Sequence, residues 1–172
     1  MIAIAGKNPL DEFNDALVND ALELIAPCVA IPAWAESLVA ARPYPTVNAL
    51  QHYASQLTLD WGRAELNLAL AAHPRIGEKP QGSGKEALLS RGEQSTVDTQ
   101  NRVLKEALAQ GNTEYEAQFG RVFLIRAKGR SGEEMLSELH RRLNNSPAEE
   151  EAEALEQLRQ ITLLRLEGAF AQ

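Results

Sequence analysis

An all-α fold, a single-domain bundle of about 8–9 helices over residues 1–172 with no substantial sheet, is the class this sequence predicts. Three observations carry it. Apolar residues recur at helical spacing, as in Val18, Ala21, Leu22 and Ile25. Helix-opening signals such as Ser131-Gly132-Glu133-Glu134 and Ser146-Pro147-Ala148-Glu149 stand at the heads of the periodic runs. Only Arg121–Ala127 reads as a strand, and a lone short strand makes no sheet, so extended backbone or a helix segment is expected there.

Taken in order, the Val18–Ile25 run is ended by Pro27. Pro32 opens the next helix, with Ala35, Leu38 and Val39 inward, and Arg42-Pro43 closes it. Thr46 caps a third carrying Val47, Leu50, Tyr53, Ala54 and Leu57. Asp60 is placed to cap a fourth that ends at His73, where Pro74 disfavours helical geometry in the residue before it. Gly77–Gly84 is a loop by composition. Its Gly84-Lys85 pair is followed by Glu86 and no strand precedes it, so it is not a phosphate loop. Helix resumes over Lys85–Ser90, then from Gly92 to Gln110, where Gly111 is expected to stop it. Asn112 starts a short helix ending at Phe119-Gly120. Ser131 opens a helix through Leu143, and Ser146-Pro147 opens the last, to about Leu166. Glu149-Glu150-Glu151 falls in its first turn, where the helix dipole favours acids and no other role is needed.

The composition excludes several classes. The 24 acidic and 17 basic side chains give a net charge of −7, which argues against nucleic acid or an anionic membrane as a partner. A single cysteine, Cys28, rules out an intrachain disulfide and a cysteine-rich metal site, and reads as a buried small hydrophobe. His52, His73 and His140 lack metal-ligand spacing, so no metal is expected. The apolar run at the N-terminus is too short for a signal peptide, and no stretch is long enough to span a membrane. A cytoplasmic setting follows. Trp34 and Trp61 read as packing residues, and His52 and His140 as surface residues.

Candidate site residues stand out by type. His73 is aimed by Pro74 at a helix end, and because an imidazole can give or take a proton near neutral pH it fits either a structural role or proton transfer. Ser90, Glu93, Gln94 and Val97 share one helical face. That set suits a pocket for a small polar ligand, while Ser90-x-x-Glu93 equally suits a capping box. Arg165, among the leucines of the last helix, either snorkels outward or points inward at an anion.

In combination these residues form an ordered pattern. His73-Pro74 is followed by Ser90-Arg91-Gly92-Glu93-Gln94, then Phe123-Leu124-Ile125-Arg126-Ala127-Lys128-Gly129-Arg130, then Leu164-Arg165-Leu166, with Trp34 and Arg42-Pro43-Tyr44 upstream. The pattern resembles the 2-oxo-4-hydroxy-4-carboxy-5-ureidoimidazoline (OHCU) decarboxylase family of urate degradation, over nearly the whole chain. Arg75-Ile76-Gly77-Glu78 resembles the bacterial form, with Arg75 where many members carry Asp. The resemblance implies an all-α fold, no metal or organic cofactor, and cleavage of carbon dioxide from a small anionic substrate to give (S)-allantoin. It implies that His73 is the catalytic acid/base with Glu93 as its partner. Pro74, Ser90, Arg91, Gly92, Glu93 and Gln94, with the backbone of Ile125, Arg126, Ala127, Lys128 and Gly129, would line the substrate, and Arg165 would bind a carboxylate or ring carbonyl. It also makes a homodimer plausible. The competing class is a non-catalytic helical module that binds a small metabolite or partner helix. A histidine-based hydrolase ranks last, because Cys28 beside Pro27 has no evident base.

Overall fold

The computed structural model describes residues 8–71 and 102–171. Eight α-helices lie among them: α1 (Pro9–Asp15), α2 (Val18–Ile25), α3 (Pro32–Ala40), α4 (Val47–Thr58), α5 (Arg63–Leu70), α6 (Arg102–Phe119), α7 (Gly132–Arg142) and α8 (Pro147–Ala169). A short 3₁₀ turn, Ala26–Cys28, follows α2. No strand occurs among the described residues, so the all-α class holds. Nor is any described helix long and apolar enough to cross a membrane.

The chain divides into two compact units, one of residues 1–61 and 161–172, the other of residues 62–160. The first is built on Phe13, Ala21, Ile25, Leu38, Leu50 and Ala54, all fully buried. Burying a side chain of Ile, Leu or Phe size is worth about 1.5–3 kcal/mol, so this cluster outweighs the polar contacts around it. Trp34 packs in as expected, 2 % exposed, and its ring N–H donates to the Ala54 carbonyl at 3.2 Å. Arg42 ties the α1–α2 junction to α3, its guanidinium donating to the carbonyls of Phe13 and Ala16 at 2.7 Å and of Val39 at 2.9 Å. Cys28 is buried, and His52 and His140 are exposed, as the sequence suggests.

The second unit buries Leu104, Leu108, Tyr115, Phe123, Met135 and Leu139 against one another. Its caps follow the sequence closely. The Ser131 hydroxyl accepts from the Glu134 N–H at 3.1 Å. Ser146 and Glu149 form both legs of a capping box, at 2.9 and 3.2 Å. In the first unit, Thr46 caps α4 by accepting from the Ala49 N–H at 3.0 Å.

One helix is additional to those expected, and three expectations are corrected. Helix α1 had not been anticipated, although Asn8 caps it by accepting from the Asp11 N–H at 2.8 Å and Pro9 opens it. Asp60 does not cap α5. The chain stays wound onto the end of α4 through Trp61, which is buried, and α5 starts after Gly62, whose N–H donates to Glu65 at 2.8 Å. Gly111 does not stop a helix. α6 runs straight through it, because the absent Cβ is what lets Leu139 of α7 approach; a Cβ there would stand 2.4 Å from the Leu139 Cδ2. Finally, Glu150 does lie in the first turn of α8, but its role goes beyond the helix dipole. It is fully buried and ion-paired, because it lies on the apolar face of α8 with Ala154, Leu158 and Ile161.

Candidate functional site

Of the expected site, Arg165 and the stretch Ile125–Gly129 are described, the latter within the segment 121–130 between α6 and α7. The segment enters through Gly120, whose φ of 72° is left-handed and ends α6 with the Gly120 N–H donating to the Glu116 carbonyl at 2.9 Å. From there the chain is neither helix nor strand. Phe123, Leu124, Ile125 and Ala127 are at most 5 % exposed, and Phe123, Ile125 and Ala127 anchor the segment in the core of the second unit. Phe123 meets Tyr115 edge-on with ring centres 5.2 Å apart. A tight turn follows, closed by the Arg130 N–H donating to the Ala127 carbonyl at 3.1 Å. Lys128 and Gly129 are exposed at its tip, and the Gly129 φ of 82° suits glycine alone among common residues.

With the side chains of Ile125 and Ala127 turned into the core, their backbone groups and the exposed tip are what the segment can offer a ligand. The local charge suits an anion: Arg121, Arg126, Lys128 and Arg130 fall within ten residues of an otherwise acidic chain. Arg121 and Arg130 lie 3.9 Å from Glu151 and Glu138, respectively. The Arg126 guanidinium has no ion-pair partner among the described residues, and its Nε is buried without a hydrogen bond.

Arg165 is in the other unit and is 5 % exposed. Its side chain lies inward rather than out in solvent. Its guanidinium reaches the carbonyls of Pro27 and Cys28 at 3.4 Å, beside the 3₁₀ turn. The remaining expected residues, His73, Pro74, Ser90, Arg91, Gly92, Glu93 and Gln94, lie outside the described residues. A cleft of about 370 Å³ opens in the first unit between Val18, Leu22, Glu36, Val39 and Arg42, and none of the expected site residues lines it.

Behind the segment lies a polar cluster that the sequence reading missed. Arg142 is 1 % exposed and Glu150 fully buried, and the guanidinium donates to both carboxylate oxygens, at 3.0 and 3.1 Å from Nε, with a further short contact from its terminal nitrogen. The Tyr115 hydroxyl donates to the same carboxylate, and Asn145 adds a bond at 3.2 Å. Burial, then the bond to Glu150, pushes the Tyr115 hydroxyl well above its usual pKa. A buried pair is stable only when such extra bonds satisfy it. The signal was present in the sequence: Arg142 follows Leu139 and Met135 at three and seven residues, the spacing of one helical face.

The chain matches the family model for OHCU decarboxylase over residues 14–167. It is 41 % identical over 108 residues to the uric acid degradation bifunctional protein TTL of Arabidopsis thaliana, covering 60 % of this chain and 33 % of that one. The chain thus spans about a third of that relative's length. It is 27 % identical over 142 residues to the 2-oxo-4-hydroxy-4-carboxy-5-ureidoimidazoline decarboxylase of Haloferax volcanii, covering 81 % and 82 %. Its fold superposes on a crystal structure of OHCU decarboxylase determined in the presence of (S)-allantoin, with a TM-score of 0.73 and 27 % identity, over 87 % of this chain and 99 % of that one.

Proposed function

The chain belongs to the OHCU decarboxylase family, and on that premise we propose that it converts 2-oxo-4-hydroxy-4-carboxy-5-ureidoimidazoline to (S)-allantoin without a metal or organic cofactor. The observation that carries the reading is the family match across nearly the whole chain. It is supported by the likeness to an OHCU decarboxylase crystallised with (S)-allantoin.

The chemistry suits the residue types. Breaking the bond from C4 to the carboxylate releases carbon dioxide and leaves an electron pair, which the adjacent ring C=N bond at C5 accepts, so that C4 and its hydroxyl become an enol. A proton delivered to one face of C5, with loss of the enol proton as C4 becomes a carbonyl, completes the product. In this proposal His73 handles that proton, since an imidazole titrates near neutrality, and Glu93 holds its tautomer and charge. Gln94, Ser90 and backbone N–H groups orient and stabilise the ring oxygens, a role that donors fixed before the reaction fill best. Pro74 fixes the direction of the imidazole, and Arg91 and Gly92 complete the stretch beside Glu93. The backbone from Ile125 to Gly129 forms one wall, and Arg165 binds a carboxylate or ring carbonyl. The local cations of segment 121–130 support binding of an anion by an acidic chain.

The test is direct. Substrate generated from urate by the two upstream enzymes is followed by circular dichroism, and the protein should speed formation of (S)-allantoin. Turnover no faster than the spontaneous reaction would sink the proposal. His73→Ala should keep the helical spectrum and lose activity by several orders of magnitude; near-normal turnover would remove His73 from the mechanism. We propose further that the 172 residues act as one catalytic domain, that the protein works in the cytoplasm, where the thiol of Cys28 stays reduced, and that it forms a homodimer. Light scattering on the purified chain checks the last point.

A further inference from the structure

Segment 121–130 poses a hydrogen-bonding problem that a strand would not. It runs through a buried region with no strand beside it among the described residues, and unpaired buried N–H and C=O groups are costly. Two side chains answer it. Gln157 of α8 accepts from the Arg126 N–H at 2.9 Å through its side-chain carbonyl. Arg142 of α7 donates to the Leu124 carbonyl at 2.8 Å, with its guanidinium carbon 4.5 Å from the centre of the Phe123 ring.

Both clamps trace back to one face of α8. Glu150, which holds Arg142, and Gln157 are seven residues apart, two helical turns. The clamp on Arg126 does more than satisfy a donor. A trans peptide is planar, with its C=O and N–H on opposite sides. Fixing the Arg126 N–H on Gln157 therefore aims the Ile125 carbonyl away from α8 and sets the course of the chain into the Ala127–Arg130 turn.

We propose that Gln157, backed by the Arg142–Glu150 pair, is a positioning residue for the reaction, fixing where the backbone of Ile125–Gly129 meets the substrate. This rests on the reading that the segment forms one wall of the substrate site.

Two variants and two readouts test it. Gln157→Leu keeps the bulk and removes the acceptor, whereas Gln157→Glu keeps an acceptor. In Gln157→Leu, exchange of the Arg126 amide should quicken at least about tenfold, and kcat/KM should fall about ten- to hundredfold, mainly in kcat, as a small misplacement of a binding wall does. Gln157→Glu should restore both to within a few-fold of the original. Unchanged amide exchange or near-normal kcat/KM in Gln157→Leu would overturn the proposal, as would equal impairment in the two variants. If the unaltered chain fails to make (S)-allantoin, the decarboxylase reading falls and the positioning role falls with it. An active unaltered chain with an indifferent Gln157→Leu removes the positioning role alone.

Discussion

Gly111→Ala should destabilise this protein even though alanine is the better helix former. The gain in helix propensity is about 1 kcal/mol. Against it stands a new Cβ 2.4 Å from the Cδ2 of Leu139, a side chain with no exposed surface to retreat to. Overpacking of this kind costs about 1–3 kcal/mol, so a net loss of about 1 kcal/mol is expected in urea titrations. In a Leu139→Ala background the obstruction is gone, and Gly111→Ala should become stabilising. A substitution equally destabilising in both backgrounds would show that Leu139 is not the cause. The same scale separates two ion pairs. Glu150→Gln leaves the buried Arg142 charge uncompensated and should cost about 3–5 kcal/mol. Arg141 holds Glu138 and Glu153 with bonds of 2.5 and 2.6 Å, but half of its side chain is exposed. Solvent screens such pairs, so Arg141→Ala should cost no more than about 1 kcal/mol. Thermal melts of both variants check the contrast, and comparable losses would contradict it.

At the scale of the element, the start of α8 is the most self-contained feature. Ser146→Ala removes the hydroxyl that accepts from the Glu149 N–H and should cost about 1 kcal/mol. An unchanged denaturant midpoint would mean that Pro147 alone fixes the helix start. Caps of this kind were legible in the sequence because donor and acceptor are three residues apart: Thr46, Ser131 and Ser146 all function where expected. Asn8-Pro9 carried the same local signal for α1. Features set by distant residues were not legible. Gly111 reads as a helix breaker until Leu139 is placed beside it. Glu150 reads as a dipole partner until Arg142 and Tyr115 enclose it. For the site, the family pattern pointed to Ile125–Gly129 and Arg165, and local chemistry could say only that Arg165 faced in or out. Nothing local pairs Arg126 with Gln157, 31 residues on. His73 and the Ser90–Gln94 stretch lie outside the described residues, so their placement is the family's pattern alone.

For the whole molecule, the titrating groups predict how folding stability changes at each end of the pH scale. Glu149 is held below the usual carboxylate range chiefly by the Ser146 backbone N–H, and Glu153 chiefly by hydrogen bonding to Arg141. Their folded pKa values lie below the unfolded ones, so what they contribute is present above the ordinary carboxylate range and is lost as pH falls through it. Glu149 is exposed and Glu153 half-buried, so this acid-side loss should be gradual. The alkaline side differs because its groups are buried. Burial first, and then the neighbouring Tyr53, pushes Tyr44 up to about 12, while burial and Glu150 raise Tyr115 further. Here the folded pKa exceeds the unfolded one, so stability is complete below the ordinary tyrosine value of about 10 and falls as pH rises beyond it. Tyr44 also donates to the Leu38 carbonyl at 2.5 Å, a bond the phenolate cannot make. In a base titration, the tyrosinate absorbance should therefore stay short of the amplitude for the chain's three tyrosines while the helical ellipticity persists. The missing amplitude should then appear together with the loss of helix, in one transition. Full titration of all three tyrosines near pH 10 with the helical signal intact would show that Tyr44 and Tyr115 are not locked into the two cores.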